Sequence, residues 1–98
     1  MEKVSMGFEI LMKETGDVGA SFGRLVKSLN EESALDVKTY DLAYISVLTA
    51  LKCYSGLPFH IDEAMQHGAS IEEIKSAMLI SMPLIGLQVK DALTYLPR

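Results

Sequence analysis

The sequence predicts an all-α protein, a compact bundle of about six short helices. Apolar residues recur at helical spacing from one end of the chain to the other. Gly and Pro interrupt that pattern often enough to keep each helix short. No segment shows the alternation, bounded by turn residues, that a strand needs. The composition, 49% hydrophobic and 22% charged over 98 residues, is that of a globular chain and excludes disorder and fibrous repeats. The length fits a single domain over 1–98.

Each helix has its own signal. Val4, Phe8, Leu11 and Met12 fall on one face, and Thr15-Gly16-Asp17 ends the run. Phe22, Leu25, Val26 and Leu29 repeat it, weakened by Gly19 and Gly23 at about 1 kcal/mol each relative to Ala. Asn30 to Ser33 reads as a loop. A third helix starts at Asp36, whose carboxylate can accept from the first-turn N–H groups. It runs to Leu51 with apolar residues around nearly its whole circumference. The stretch Ile45–Leu48 would also suit a strand, but the apolar run is too long and too rich in Leu and Ala. Gly56 and Pro58 open a fourth helix carrying Leu57, Ile61, Ala64 and Met65, closed by Gly68. Ser70-Ile71-Glu72-Glu73 is a capping box for a fifth. Pro83 and Gly86 are expected to kink or end it, and Val89, Ala92, Leu93 and Leu96 form the last.

Charge, cysteine usage and hydropathy bound the partners. Nine basic against thirteen acidic residues give a net charge of −4, which argues against nucleic acid. The longest uncharged run, Ser76 to Val89, is short of the roughly 18 residues a spanning helix needs, so no membrane partner is expected. Charged residues interrupt the N-terminal segment before any export signal can form. With the single cysteine, Cys53, this points to a cytoplasmic protein without an internal disulfide. The third helix has no clear wet face, and Ala77 to Leu87 has Ser81 as its one polar side chain. A chain this small cannot cover both alone, so a homo-oligomer is expected.

Four polar side chains interrupt the apolar pattern or flank a breaker. His60 shares a stripe with Leu57, Ile61 and Ala64; it is either an acid–base residue or a core histidine with partners for both nitrogens. Asp41 lies one turn before Tyr44 and Ile45; it either orients His60 and exchanges protons with it, or serves the positive end of its helix. Cys53 precedes the fourth helix beside Lys52, a setting that favours thiolate, although a small apolar filler reads equally well. Cys53 and His60 are seven residues apart, so on one regular helix they would be separated by about 10 Å. They meet only if the Gly56–Pro58 break bends the chain. His67, in the last turn before Gly68, is where the dipole favours a cation, and a structural or surface role is expected. No metal-ligand spacing and no phosphate-binding glycine loop is seen, so neither metal nor cofactor is expected.

Taken together, these residues resemble the carboxymuconolactone decarboxylase and alkylhydroperoxidase D-like family over about Leu35–Leu96. Leu35-Asp36-Val37-Lys38-Thr39-Tyr40-Asp41-Leu42 is similar to the family's helix start. His60 and Ala64, followed by Gly68-Ala69-Ser70-Ile71-Glu72-Glu73-Ile74, are similar to its His-x-x-x-Ala…Gly-Ala-[Ser/Thr]-x-Glu-Glu-Ile signature. The resemblance implies an oligomer, trimer or hexamer, acting on a small molecule. It implies catalytic roles for Asp41, Cys53 and His60. In the redox branch the pattern is Cys-x-x-Cys-x-x-x-His after a helical Glu; Cys53 and His60 match it, Asp41 stands at the Glu, and Gly56 stands at the second cysteine. A dithiol cycle needs two sulfurs, so this branch implies at most single-thiol peroxide chemistry. The decarboxylase branch implies His60 as acid–base with Asp41 as its orienter. A non-catalytic oligomeric binding module is the third expectation.

Overall fold

A computed structural model describes residues 4–97. It contains seven α-helices among the described residues: α1 (Met6–Glu14), α2 (Asp17–Glu31), α3 (Val37–Ala50), α4 (Leu57–Gln66), α5 (Ile71–Leu79), α6 (Met82–Leu87) and α7 (Val89–Ala92). Short 3-10 turns occupy Tyr54–Gly56 and Leu93–Tyr95, and the described residues contain no strand.

Ser5 accepts from Phe8 N–H at 3.2 Å and caps α1, so Val4, read as part of the helical face, precedes the helix. The two start signals read from the sequence act as it implies. Asp36 accepts from Thr39 N–H at 2.8 Å and caps α3; that bond holds its carboxyl below the usual range. Ser70 and Glu73 close the capping box on α5, each accepting the other's N–H at 3.0 and 2.9 Å.

Three boundaries differ from expectation. The loop expected over 30–33 starts later, because α2 continues to Glu31, with Asn30 donating back to Val26 O at 2.9 Å. Pro83 does not end the fifth helix. That helix stops at Leu79, and Pro83 stands in the first turn of α6, where its missing N–H costs nothing. Gly86 lies inside α6, and the last expected helix is the four-residue α7 followed by a 3-10 turn.

Glycine lets α1 and α2 form a hairpin. Gly16 takes φ +58° in the two-residue turn, where a side chain is strained. Gly19 is buried against α1; a Cβ there would collide with the Leu11 carbonyl oxygen, and one on Gly23 would reach 2.6 Å from Met12 Cε. Gly19, which weakens α2 as a helix, is thus what its packing requires, whereas at Gly23 the flexible end of Met12 can move aside.

The core lies where α3 meets α4 and α5. Ile45, Ala64, Ala69, Ile74 and Ala77 are buried, with Leu42, Leu57, Ile61 and Met78 packed around them. Lys38 of α3 also pairs with the capping-box Glu73 at 2.8 Å, tying the start of α5 to the start of α3. α6 and α7 extend from this core. The whole chain measures 54 × 34 × 26 Å with a radius of gyration of 16.8 Å, against about 13 Å for a compact chain of this length.

Candidate functional site

α3 and α4 supply most of the candidate side chains, and the bend between them decides where Cys53 goes. At the end of α3, Cys53 N–H donates to Leu48 O at 2.8 Å and Lys52 N–H to Thr49 O at 3.1 Å. This is the double bond pattern of a Schellman cap. The left-handed position is filled by Lys52 (φ +59°), where glycine is the usual occupant. The chain then passes through the Tyr54–Gly56 turn into α4, with Pro58 in its first turn and His60 just behind. The break bends Cys53 back, so that Cys53 and His60 line the same cavity.

That cavity has a volume of about 480 Å³ and lies between the α1–α2 hairpin and α3–α4. Phe8, Phe22, Tyr40, Tyr44 and Phe59 give it aromatic walls, and Asp41 and Glu63 also line it. The His60 ring stacks on Tyr44 at 4.2 Å between centroids and 21° between planes, and Phe59 meets its edge at 5.1 Å. These are ring contacts, not hydrogen bonds, and no buried side-chain nitrogen or oxygen among the described residues is left without a partner. The ring nitrogens of His60, which make no hydrogen bond, are therefore not sealed from solvent, and His60 lines the cavity; this is not the arrangement of a core histidine tied down on both sides. Burial lowers the His60 pKa from its ordinary value, and the negative charges of Asp41 and Glu63 partly offset this. A half-buried imidazole kept uncharged is able to accept a proton.

Asp41 is placed differently from the role expected of it. Its hydrogen bond goes to His67: Nδ1–H of His67 donates to Asp41 Oδ2 at 2.6 Å. A carboxylate only accepts, so the ring nitrogen carries the proton. His67 reaches Asp41 because α4 ends in a second Schellman cap. Gly68 (φ +94°) turns the chain, Ala69 N–H donates to Ala64 O at 2.9 Å, and both alanines are buried. The Asp41 hydrogen bond raises the His67 pKa above its ordinary value, with the Asp41 and Glu63 charges adding to it. His67, expected to have a structural or surface role, is an ion-pair partner of Asp41 on α3. Asp41 still lines the cavity and its charge acts on His60, so the three candidates share one region. Tyr40, Tyr44 and Glu63 were not singled out from the sequence. The signal for Glu63 and His67 is the spacing His60, Glu63, His67, a polar stripe beside the apolar one on α4. Among the described residues, no three His, Cys, Asp or Glu side chains converge as a metal site.

Comparison with known protein families matches residues 16–96 to the model of the carboxymuconolactone decarboxylase family. The chain belongs to the carboxymuconolactone decarboxylase family. The match starts at the α1–α2 turn, well before the Leu35 at which the motif resemblance begins, so α2 is part of the family's unit. The comparisons with curated proteins and with solved structures returned no match. In this chain, the segment around Lys38 and Asp41 and the segment from His67 to Glu73 meet in space through the Asp41–His67 and Lys38–Glu73 pairs. Position 56, where the redox pattern has its second cysteine, lines the cavity; a Cβ on Gly56 would stand 3.9 Å from His60 Cδ2 and 3.1 Å from Leu48 Cδ2. No helix among the described residues is long and apolar enough to cross a membrane.

Proposed function

We propose that this protein performs acid–base chemistry on a small organic molecule held in the aromatic cavity, with His60 as the base. The observation that carries this reading is the uncharged His60 ring, stacked on Tyr44 and open to a cavity of about 480 Å³ that Asp41 and Cys53 also line. The stack fixes the plane of the imidazole, so a bound molecule meets a positioned nitrogen. Asp41 supplies a negative charge that favours His60 once it has accepted a proton. The aromatic walls suit an apolar or ring-bearing substrate.

A second reading is favoured by the exposure of Cys53 at the same cavity: single-thiol reduction of a hydroperoxide, with Cys53 oxidised to the sulfenic acid and a thiol from outside restoring it. Turnover of a small lactone acid and of an organic hydroperoxide by wild type, Cys53→Ser and His60→Ala separates the two. Acid–base chemistry predicts activity that survives Cys53→Ser and is lost in His60→Ala. Loss of peroxide turnover in Cys53→Ser supports the thiol reading. No activity of either kind, with His60→Ala leaving ligand binding unchanged, leaves only a non-catalytic binding module.

We further propose that the working form is a homo-oligomer, in keeping with the trimers or hexamers that the resemblance implies. The chain exposes 7463 Å², against about 5,500 Å² for a compact monomer of its mass. The excess, roughly 1,900 Å², is the scale of a stable subunit interface. Val47 on α3 and Leu79, Ile80 and Leu84 along α5–α6 are each more than half exposed. Light scattering at micromolar concentration tests this; the expected mass is a multiple of 10.8 kDa, and a monomer peak contradicts it. A cytoplasmic location fits one exposed thiol without a partner cysteine.

A further inference from the structure

Two cavities meet at Asp41. The larger holds His60 and Cys53; the smaller, about 80 Å³, holds His67. Asn30, Tyr40, Asp41 and Glu63 line both. His60 lies on α4 and His67 caps its C-terminal end, about 10 Å further along the axis. Asp41 comes from α3 and its carboxylate is only 13% exposed, whereas 35% of the His67 side chain reaches solvent.

We propose that His67 is a positioning residue for His60: by pairing with Asp41 it holds that carboxylate in place and offsets part of its charge, which limits how strongly Asp41 draws a proton onto the cavity imidazole. This rests on the reading of His60 as the base. With His67 protonated, the Asp41–His67 pair presents a smaller net charge to the larger cavity than the bare carboxylate does. Once His67 loses its proton, the carboxylate is left uncompensated and favours a protonated His60. Proton affinity in the cavity is then set partly from the solvent side. The other charged groups do not break this logic. Glu63 on α4 acts on both histidines in the same direction. Lys38 on α3 and Glu73 on α5 are engaged with each other at 2.8 Å. Tyr44, stacked on His60, and Tyr40 and Cys53, which also line the larger cavity, carry no charge to substitute for His67 when they are protonated.

The chain has two histidines, so a nuclear magnetic resonance titration of the ring resonances reads both without ambiguity. The titration needs no substrate. It is run on wild type, His67→Gln, Asp41→Asn and the double variant. The inference expects the His60 midpoint to rise by roughly half a pH unit in His67→Gln, the scale of one uncompensated charge about a nanometre away or less. It expects the midpoint to fall in Asp41→Asn and to return near the wild-type value in the double variant. A purely structural link between α3 and α4 does not produce opposite signs. If His60 titrates identically in wild type and His67→Gln, the inference is overturned, while the acid–base reading still stands or falls on His60→Ala turnover. If His67→Gln fails to fold, Asp41→Asn carries the test alone: an unchanged or raised His60 midpoint overturns the inference.

Discussion

Replacing Gly56 by Cys places a second sulfur where the family's redox pattern has one. The new Cβ stands 3.9 Å from His60 Cδ2 and 3.1 and 3.5 Å from the two methyl groups of Leu48. The first contact is ordinary. The Leu48 contact is tight by a few tenths of an ångström, and Leu48 is only partly buried, so it has room to shift. Gly56 has φ −83°, which any residue adopts, so no backbone strain is added. The stability loss is therefore expected at the low end of the overpacking range, about 1 kcal/mol. The chemical gain is larger. A peroxide oxidises Cys53 to the sulfenic acid, releasing the alcohol; the thiol introduced at position 56 then attacks that sulfur, forming a disulfide and releasing water. A tethered thiol acts at an effective concentration in the millimolar range, so resolution is roughly 10²–10³ faster than by a second protein molecule at micromolar concentration. Thiol titration of Gly56→Cys should count two free thiols before one equivalent of peroxide and none after, and peroxide turnover with an added dithiol should rise accordingly. Two thiols that remain free and reactive after oxidation refute the placement of position 56 beside Cys53 and His60.

Other perturbations test single parts of the account. Lys52→Gly removes a side chain from the left-handed cap position and should raise stability by about 0.5–1 kcal/mol in urea unfolding, with Cys53 still bonded to Leu48. Ile45→Ala removes the one large side chain that is completely buried among the described residues, at the centre of a cluster whose other buried members are mostly alanines, so a loss of about 2–5 kcal/mol is expected in the same assay. The pH dependence of stability should carry opposite signatures from the two histidines. His67, raised in the folded state, contributes stability that is complete below about pH 6.5 and lost as pH rises through its elevated value. His60, lowered by burial, contributes stability that is present above about pH 6.5 and lost as pH falls through its depressed value. Thermal unfolding across pH 5–9 should therefore lose the alkaline decline attributable to this pair in His67→Gln and the corresponding acid decline in His60→Gln.

The helical architecture was legible because it depends on local rules. The caps at Asp36 and Ser70 and the Gly68 turn are written in three or four consecutive residues each, and all three act as their sequence implies. Pro83 misled because proline marks the first turn of one helix as readily as the end of another, and only the packing of α5 decides between them. The α1–α2 hairpin shows the same ambiguity: helix propensity counts Gly19 as a weakness, while the close approach to α1 requires it. For the site, sequence spacing brought Asp41, Cys53 and His60 into view but could not assign the hydrogen bond of Asp41. Two histidines on one face of α4 compete for that carboxylate, and the turn at Gly68 presents His67 to it. The aromatic stack on His60 was hidden for a similar reason. Tyr44 sits one turn after Asp41 on α3, and its contact with α4 is a product of helix packing rather than of chain order.

The central claim is that Cys53 and His60 open onto one shared cavity, and chemical footprinting tests it directly. Cys53 is capped with a bulky maleimide, and both histidines are then exposed to diethyl pyrocarbonate and quantified by mass spectrometry. The account predicts that His60 becomes protected while His67, on the solvent side of Asp41, reacts as before. Modification of His60 at an unchanged rate in the capped, folded protein contradicts it.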